Sequence, residues 1–277
     1  MRIGFIGTGS MGSILIEAFI RSGAVAPEQI AATNRTIAKA ERLAVSYPGL
    51  YVARSNKEAA ASADVIFLCI KPSEYKAVID DIHSEVRPEQ IVVSITSPVL
   101  VRHLEEMLRC KIAKVIPSVT NYVLSGATLC VYGNRMRPED IELLENLLSH
   151  ISAPVRIDED YTRVSSDLSS CGPAFLSYFL QKFVQAAVDI TGIPEEDATR
   201  LASEMTLGTG QLLTTGGFTP ATLQKKVTVP GGITAEGLRI MENELCEVFH
   251  DLIRTTHLKY EEDVEKVEAR FFGTRVE

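Results

Sequence analysis

Through roughly the first 158 residues, short unbroken apolar runs alternate with stretches of helical period. Residues 2–6 read as a short buried strand, and Ile14, Leu15, Ala18 and Phe19 then fall on one face of a helix. A strand follows at 29–33, a helix near 36–46 and a short strand at 51–53. The strong apolar run 64–70 is the next strand, ended by Lys71-Pro72. Then come a helix at 73–86, a strand at 90–95, a helix at 99–108 and a strand at 112–116. A strand at 127–132, a helix at 138–151 and a strand at 154–157 close this region. Strands alternating with helices of this length predict an α/β fold, a mostly parallel sheet with helices on both faces.

From about Tyr161 the strand patterns vanish. Long helical periods take over at 171–191, 195–215, 220–227 and 234 to about 269, broken at Pro194, Gly216-Gly217 and Pro230-Gly231-Gly232. The boundary falls near residue 158, with an all-helical domain over 159–277. At 277 residues the chain is long enough for two domains, each with its own core. Leu238, Met241, Leu245, Val248, Phe249 and Ile253 form a broad apolar stripe, which reads as a face buried against the rest of the fold or a second subunit.

The first strand runs into Gly7-Thr8-Gly9-Ser10-Met11-Gly12 and then into a helix, the G-x-G-x-x-G arrangement of a dinucleotide-binding turn. Gly7 permits the tight turn, Gly9 lets the backbone approach a pyrophosphate, and Gly12 lets helix and strand pack closely. The helix start offers free N–H groups and a positive dipole end to the phosphates. About twenty residues on, the second strand ends in Thr33-Asn34-Arg35-Thr36. NAD-binding turns usually place a carboxylate there for the ribose 2′-OH. Here there is a guanidinium, which attracts a 2′-phosphate. NADP(H) is therefore preferred, with NAD(H) possible; the bland alternative for Arg35 is a solvated loop charge. This half reads as a Rossmann-type NADP-binding domain.

Composition narrows the class. Apolar content of 45% and charged content of 23% are those of a globular protein, and a net charge of −8 without a basic cluster argues against nucleic acid. No apolar run is long enough to cross a bilayer, so no membrane association and a cytoplasmic location are expected. Cys69, Cys110, Cys130, Cys171 and Cys246 are scattered, with no C-x-x-C and no metal spacing, and read as reduced, mostly buried thiols. No metal is expected.

A second constellation lies at Val227-Thr228-Val229-Pro230-Gly231-Gly232-Ile233-Thr234, directly before the last helix. Such a bend exposes several N–H groups in one concavity, suited to a small carboxylate, with the Thr234 hydroxyl beside it. The pattern fits equally a plain loop with Thr234 as N-cap.

This loop resembles the V-T-S-P-G-G-T-T signature of the pyrroline-5-carboxylate reductase family. Other pieces agree in order across nearly the whole chain: the opening turn, Asn34-Arg35-Thr36, Cys69-Ile70-Lys71-Pro72 beside A-V-K-P, and Leu168-Ser169-Ser170-Cys171-Gly172-Pro173-Ala174-Phe175 beside L-S-G-S-G-P-A-Y. The resemblance implies NAD(P)H-dependent reduction of the cyclic imine Δ1-pyrroline-5-carboxylate to L-proline. It also implies a Rossmann domain plus a helical domain that interlocks with a twofold mate, as a homodimer or an oligomer of dimers with active sites between subunits. Carried over, amides around Gly231, Gly232 and Ile233 hold the substrate carboxylate, and Thr234 hydrogen-bonds the ring nitrogen. Asn56, Ile70, Lys71 and Pro72 join the cofactor site, and Glu159 matches an acidic residue near cofactor and substrate.

Several signature positions depart from the family pattern. M-P-N-T-P reads Ile116-Pro117-Ser118-Val119-Thr120, so an amide becomes a hydroxyl. The serine of S-P-G-G is Val229, an Asp or Asn three residues earlier is Lys226, and Pro98 and Cys171 replace small residues. Lys226 either attracts the carboxylate or is a solvated charge, the second being favoured. Lost hydrogen bonds of this kind cost about 0.5–1.5 kcal/mol each. These changes resemble the divergent late-competence (ComER) branch of the family in bacilli, which leaves two readings: an active reductase, or a cofactor-binding regulator with little turnover. A β-hydroxyacid dehydrogenase is disfavoured, because the residue four after Gly172 is Leu176 rather than the catalytic Lys.

Overall fold

The computed structural model describes residues 1–273. By contacts the chain forms two compact units, Met1–Gly172 together with the chain from Thr256 onward, and Pro173–Thr255.

The first unit is built on one eight-stranded sheet. Its strands are β1 (Ile3–Ile6), β2 (Ile30–Thr33), β3 (Tyr51–Val52), β4 (Val65–Leu68), β5 (Ile91–Ser94), β6 (Lys111–Ile116), β7 (Ala127–Tyr132) and β8 (Ala153–Arg156), in the order β3-β2-β1-β4-β5-β6-β7-β8. β1 to β6 are parallel, β7 runs antiparallel to β6, and β8 is parallel to β7. β1, β2, β4 and β5 are buried along their whole length, as a sheet covered on both faces demands, which is why their sequences are unbroken apolar runs. Side chains alternate between two cores. Ile3, Phe5, Val65 and Phe67 join one cluster, in which the Phe5 and Phe67 rings stack at 5.1 Å, and Ile6, Ile66 and Leu68 join the other.

The connecting helices are α1 (Ser10–Arg21), α2 (Ala38–Ser46), α3 (Asn56–Ala61), α4 (Tyr75–Ile82), α5 (Val101–Met107) and α6 (Pro138–Ser149). Sequence patterning gives no sign of α3, whose six residues include three alanines and no apolar stripe; its start is set by Ser55, whose hydroxyl accepts from the Glu58 N–H. The helix expected over 73–86 is shorter, a 3₁₀ turn Pro72–Glu74 followed by α4. Beyond β8, α7 (Thr162–Leu168) packs on β7 and buries Thr162, Ser166 and Asp167. The strand pattern ends near 158, yet compactness carries the first unit on to Gly172.

The second unit is helical: α8 (Gly172–Thr191), α9 (Glu195–Thr214), α10 (Pro220–Val227) and the first part of α11 (Ile233–Phe272). The expectation that it holds its own core is not met, since Ala198 is its one buried residue. Phe175, Phe179, Phe183, Met205, Val248 and Phe249 are exposed on the single chain. Of the predicted α11 stripe, Leu238, Leu245 and Ile253 are half-buried and Met241, Val248 and Phe249 exposed. Aromatic and aliphatic faces of this extent are the mark of a surface meant to be covered. The final turns of α11 belong to the first unit, where Val267 and Phe271 sit in the second core cluster.

Candidate functional site

The Gly-rich turn is fixed by backbone sterics. Gly7 has φ of +103°, and a Cβ there would lie 2.2 Å from the Cys69 carbonyl oxygen; one on Gly12 would lie 2.2 Å from the Gly7 carbonyl oxygen. At Gly9 a Cβ would meet nothing within 4 Å, so open space fronts the middle of the turn. Gly7 N–H donates to Thr33 O at 2.9 Å, and Thr8 N–H donates to Asn34 Oδ1 at 3.0 Å, which ties the turn to the end of β2. Asn34 Nδ2 in turn donates to Thr36 O at 3.1 Å. The Asn34 amide thus holds the loop in shape on both sides. α1 begins at Ser10 with Gly9 as N-cap, with no side-chain cap and no acidic residue in its first turn, so the Ser10, Met11 and Gly12 amides lie at the positive end of the helix.

The neighbouring residues carry the matching charge. A groove of about 400 Å³ is lined by Thr8, Gly9, Ser10, Ser13 and Glu17 on one side and by Lys39 and Arg42 of α2 on the other, so two cations face one carboxylate. Lys39 and Arg42 are both exposed, and patterning assigned them no part in the site. The Thr8 hydroxyl is buried without a hydrogen-bond partner. A free cradle at Gly9, uncapped amides, an orphaned hydroxyl and adjacent cations fit a dinucleotide diphosphate.

Arg35 is 88% exposed, and its guanidinium pairs with Glu74 Oε1 at 2.6 Å. Glu74 comes from the 3₁₀ turn after β4, and its other oxygen accepts from Lys71 N–H at 3.3 Å. Arg35 is thus not merely solvated. Lys71 is exposed, Pro72 opens the turn, and half-buried Ile70 borders Gly7. Asn56 is the first residue of α3, and its Nδ2 donates to Asp81 Oδ2 at 3.1 Å.

Glu159 sits in a polar knot that patterning missed. Lys114, on β6, is 1% exposed and pairs with Glu159 Oε1 at 2.6 Å, and it donates to Ser97 O at 3.0 Å. The same Glu159 oxygen accepts from Val101 N–H at 2.9 Å, at the start of α5. Burial holds the Lys114 ammonium below the usual lysine range, against the opposing pull of Glu159. Ser118 is also engaged: its hydroxyl accepts from Thr120 N–H at 3.3 Å and lies 3.5 Å from Ser169 O.

In the helical unit, Val229-Pro230-Gly231-Gly232 form a tight turn closed by Gly232 N–H donating to Val229 O at 2.9 Å, with Gly231 at φ +72°. This corrects one expected donor: the Gly232 amide is spent inside the turn. Among the described residues, no partner is found for the amides of Gly231, Ile233 or Thr234. α11 begins at Ile233, so Thr234 lies within the first turn, exposed and making no capping hydrogen bond. The N-cap reading of Thr234 therefore fails. Lys226 is exposed in the last turn of α10 and forms no ion pair among the described residues.

Residues 159–263 match the pyrroline-5-carboxylate reductase dimerisation family, and residues 2–98 match the family described as NADP oxidoreductase, coenzyme F420-dependent. ComE operon protein 4 of Bacillus subtilis (strain 168) is 42% identical, the match covering 98% of this chain and 99% of that protein. Pyrroline-5-carboxylate reductase 2 of Bos taurus is 31% identical over 96% of this chain and 87% of its own length. The chain belongs to the pyrroline-5-carboxylate reductase family.

The solved structure of a pyrroline-5-carboxylate reductase from Coxiella burnetii agrees in fold, with a TM-score of 0.85, 26% identity, and coverage of 95% of this chain and 98% of that one. The Plasmodium falciparum structure, solved with NADP bound, gives 0.81 over 99% and 98% at 23% identity. The match of residues 2–98 to an NADP oxidoreductase family agrees with the expected preference for NADP(H), and the ComE likeness agrees with the late-competence branch. Other expectations change in detail. All five cysteines are free, but only Cys110 and Cys130 are buried; Cys69 and Cys171 are half-buried and Cys246 is exposed. Arg163 donates to Cys171 Sγ at 3.1 Å. Patterning expected no metal-spaced grouping, yet one turn of α11 brings exposed ligand atoms of Cys246, Glu247 and His250 within 4.8 Å of one another. Among the described residues no helix is long and apolar enough to cross a membrane.

Proposed function

We propose that this member of the family is an NADPH-dependent reductase of Δ1-pyrroline-5-carboxylate, yielding L-proline. The supporting observation is the start of α11, where an exposed, uncapped Thr234 hydroxyl stands beside the unpartnered amides of Gly231, Ile233 and Thr234. A small carboxylate suits those amides at the positive helix end. The Thr234 hydroxyl hydrogen-bonds the ring nitrogen, accepting from it once it is protonated. That assignment needs no strong base, since an iminium carbon is already electrophilic.

In this reading Gly7 to Gly12, Asn34, Arg35, Asn56 and Ile70 to Pro72 hold NADP(H), Asn34 by shaping the turn, with Lys39 added from the structure. The cofactor, when bound, supplies the hydride for the C=N carbon. Residues 1–158 serve the cofactor, and 159–277 serve substrate and dimer formation. Glu159 anchors Lys114 and the start of α5, a positioning role. The bared aromatic faces of α8, α9 and α11 bury against a second copy, and a cytoplasmic location goes with this reading.

A second reading has its own support. Ser118 stands where the family places an amide and is turned inward, Val229 offers no polar group, and ComE operon protein 4 is 42% identical. In that case the chain is an NADP-binding regulator. Assay of NADPH oxidation with pyrroline-5-carboxylate separates the two. The reductase turns over, and Thr234→Ala loses most of that rate; tight NADPH binding without turnover in the wild type establishes the regulator.

A further inference from the structure

We infer that Glu74 sets how strongly the cofactor site prefers NADPH over NADH, by competing with the 2′-phosphate for Arg35. The inference rests on the reading of Arg35 as the 2′-phosphate ligand. The stretch after β2 contains no carboxylate, which favours NADP(H); the fold supplies one from elsewhere. Glu74 lies 39 positions away in sequence, yet its Oε1 is 2.6 Å from Arg35 Nη1. β1 lies between β2 and β4, the strands that carry the two loops. The pair therefore links the loops on either side of the Gly-rich turn that follows β1.

Three features make Glu74 a competitor rather than a brace. The Arg35 side chain is 88% exposed, so water screens the pair and it is readily opened. A phosphate dianion takes a guanidinium in two parallel hydrogen bonds and displaces a single carboxylate contact. The Glu74 side chain is itself one-third exposed, so its negative charge remains beside an arriving phosphate after Arg35 has turned to it. NADH, with a neutral 2′-hydroxyl, neither needs Arg35 released nor meets that repulsion. Glu74 thus lowers affinity for the phosphorylated cofactor alone, and the site is less selective than Arg35 by itself would make it.

Glu74→Gln is the informative variant, because a glutamine oxygen still accepts from Lys71 N–H and the charge alone is removed. The fluorescence of NADPH and of NADH, titrated with the full-length protein in the absence of substrate, reads binding without turnover. For Glu74→Gln, NADPH binds about two- to fivefold tighter while NADH stays within about twofold of the wild type. Weaker NADPH binding, no change, or an equal gain for both cofactors overturns the inference. Arg35→Ala tests the underlying reading separately: it weakens NADPH far more than NADH if Arg35 holds the 2′-phosphate. Equal weakening of both removes that premise, whereas a selective loss beside an unaltered Glu74→Gln removes only the role given to Glu74.

Discussion

The glycine turns that feed α1 and α11 are built to different tolerances. In the turn before α1, a methyl at Gly7 or Gly12 would lie 2.2 Å from a backbone carbonyl. In the turn before α11, Gly231 has nothing within 4 Å, and a methyl on Gly232 would press mainly on the Val229 side chain and carbonyl. The first turn is locked by the sheet that carries it. The second rests on its own hydrogen bond, in a unit that buries a single alanine. The turn before α1 is thus held by the backbone of its own unit, whereas the unit that carries the turn before α11 has almost no buried core of its own. Of the sequence departures, Val229 and Lys226 lie at or beside the second turn, whereas Pro98, Ser118 and Cys171 lie in the first unit.

The contrast can be broken at its firmest point first. Gly7→Ala places a β-carbon against the Cys69 carbonyl at φ +103°, and should cost about 3 kcal/mol or more and abolish NADPH binding. Gly231→Ala bears only the left-handed backbone penalty, about 1 kcal/mol. Denaturant unfolding of both variants checks the difference, and equal losses would erase the distinction between the turns. Next in size is the covered face. Phe249→Asp, on an exposed aromatic of α11, should weaken self-association about a hundredfold, read by light scattering across a dilution series. A wild type that stays monomeric at all concentrations contradicts the covering role.

Thr234→Ala sharpens the comparison from the chemical side. It should lower kcat/KM for the imine about a hundredfold while leaving the unfolding midpoint unchanged, since the hydroxyl caps nothing. Loss of stability in step with activity would restore the capping role.

The smallest effect lies in the first unit. His103 is fully buried; its Nδ1 accepts from Leu100 N–H at 3.1 Å, and Nε2 faces Glu268 at 3.4 Å. Burial keeps the imidazole below its usual pKa of 6.5, outweighing the Glu268 carboxylate, with Arg102 acting in the same direction as burial. A depressed value means that the stability is present above pH 6.5 and lost as pH falls through the folded value. Protonation at Nδ1 breaks the cap of α5, worth about 1 kcal/mol. His103→Gln, an acceptor that does not titrate, should flatten the wild-type decline measured by urea unfolding between pH 7 and 5.

What could be read along the chain was what repeats locally. β1, β4 and β5 are legible because burial on both faces needs every residue apolar, and α1 because its stripe recurs at helical spacing. The Gly-rich turn and the Thr234 loop are contiguous, so both could be picked out as candidate sites, though not every donor within them. Pairings made by the fold could not. Nothing beside Arg35 announces Glu74, and nothing beside Glu159 announces Lys114, whose one local sign is a lysine inside an apolar strand. α3 lacked a stripe to detect. The Gly232 amide was misjudged because Pro230-Gly231 at the centre of a tight turn directs that amide back to the Val229 carbonyl, a turn signature that a count of open amides passes over.

The oxygen that would strike a methyl at position 12 belongs to Gly7 itself, so those two positions are answerable to each other. Tolerance to substitution differs accordingly along the turn. Position 9 has empty space before it and can wander at the expense of its ligand alone, and the bend ahead of α11 can wander further. Positions 7 and 12 are thus held to glycine by the backbone of the turn itself, whether or not a nucleotide is bound, so the outward sign of a nucleotide binder says nothing about turnover.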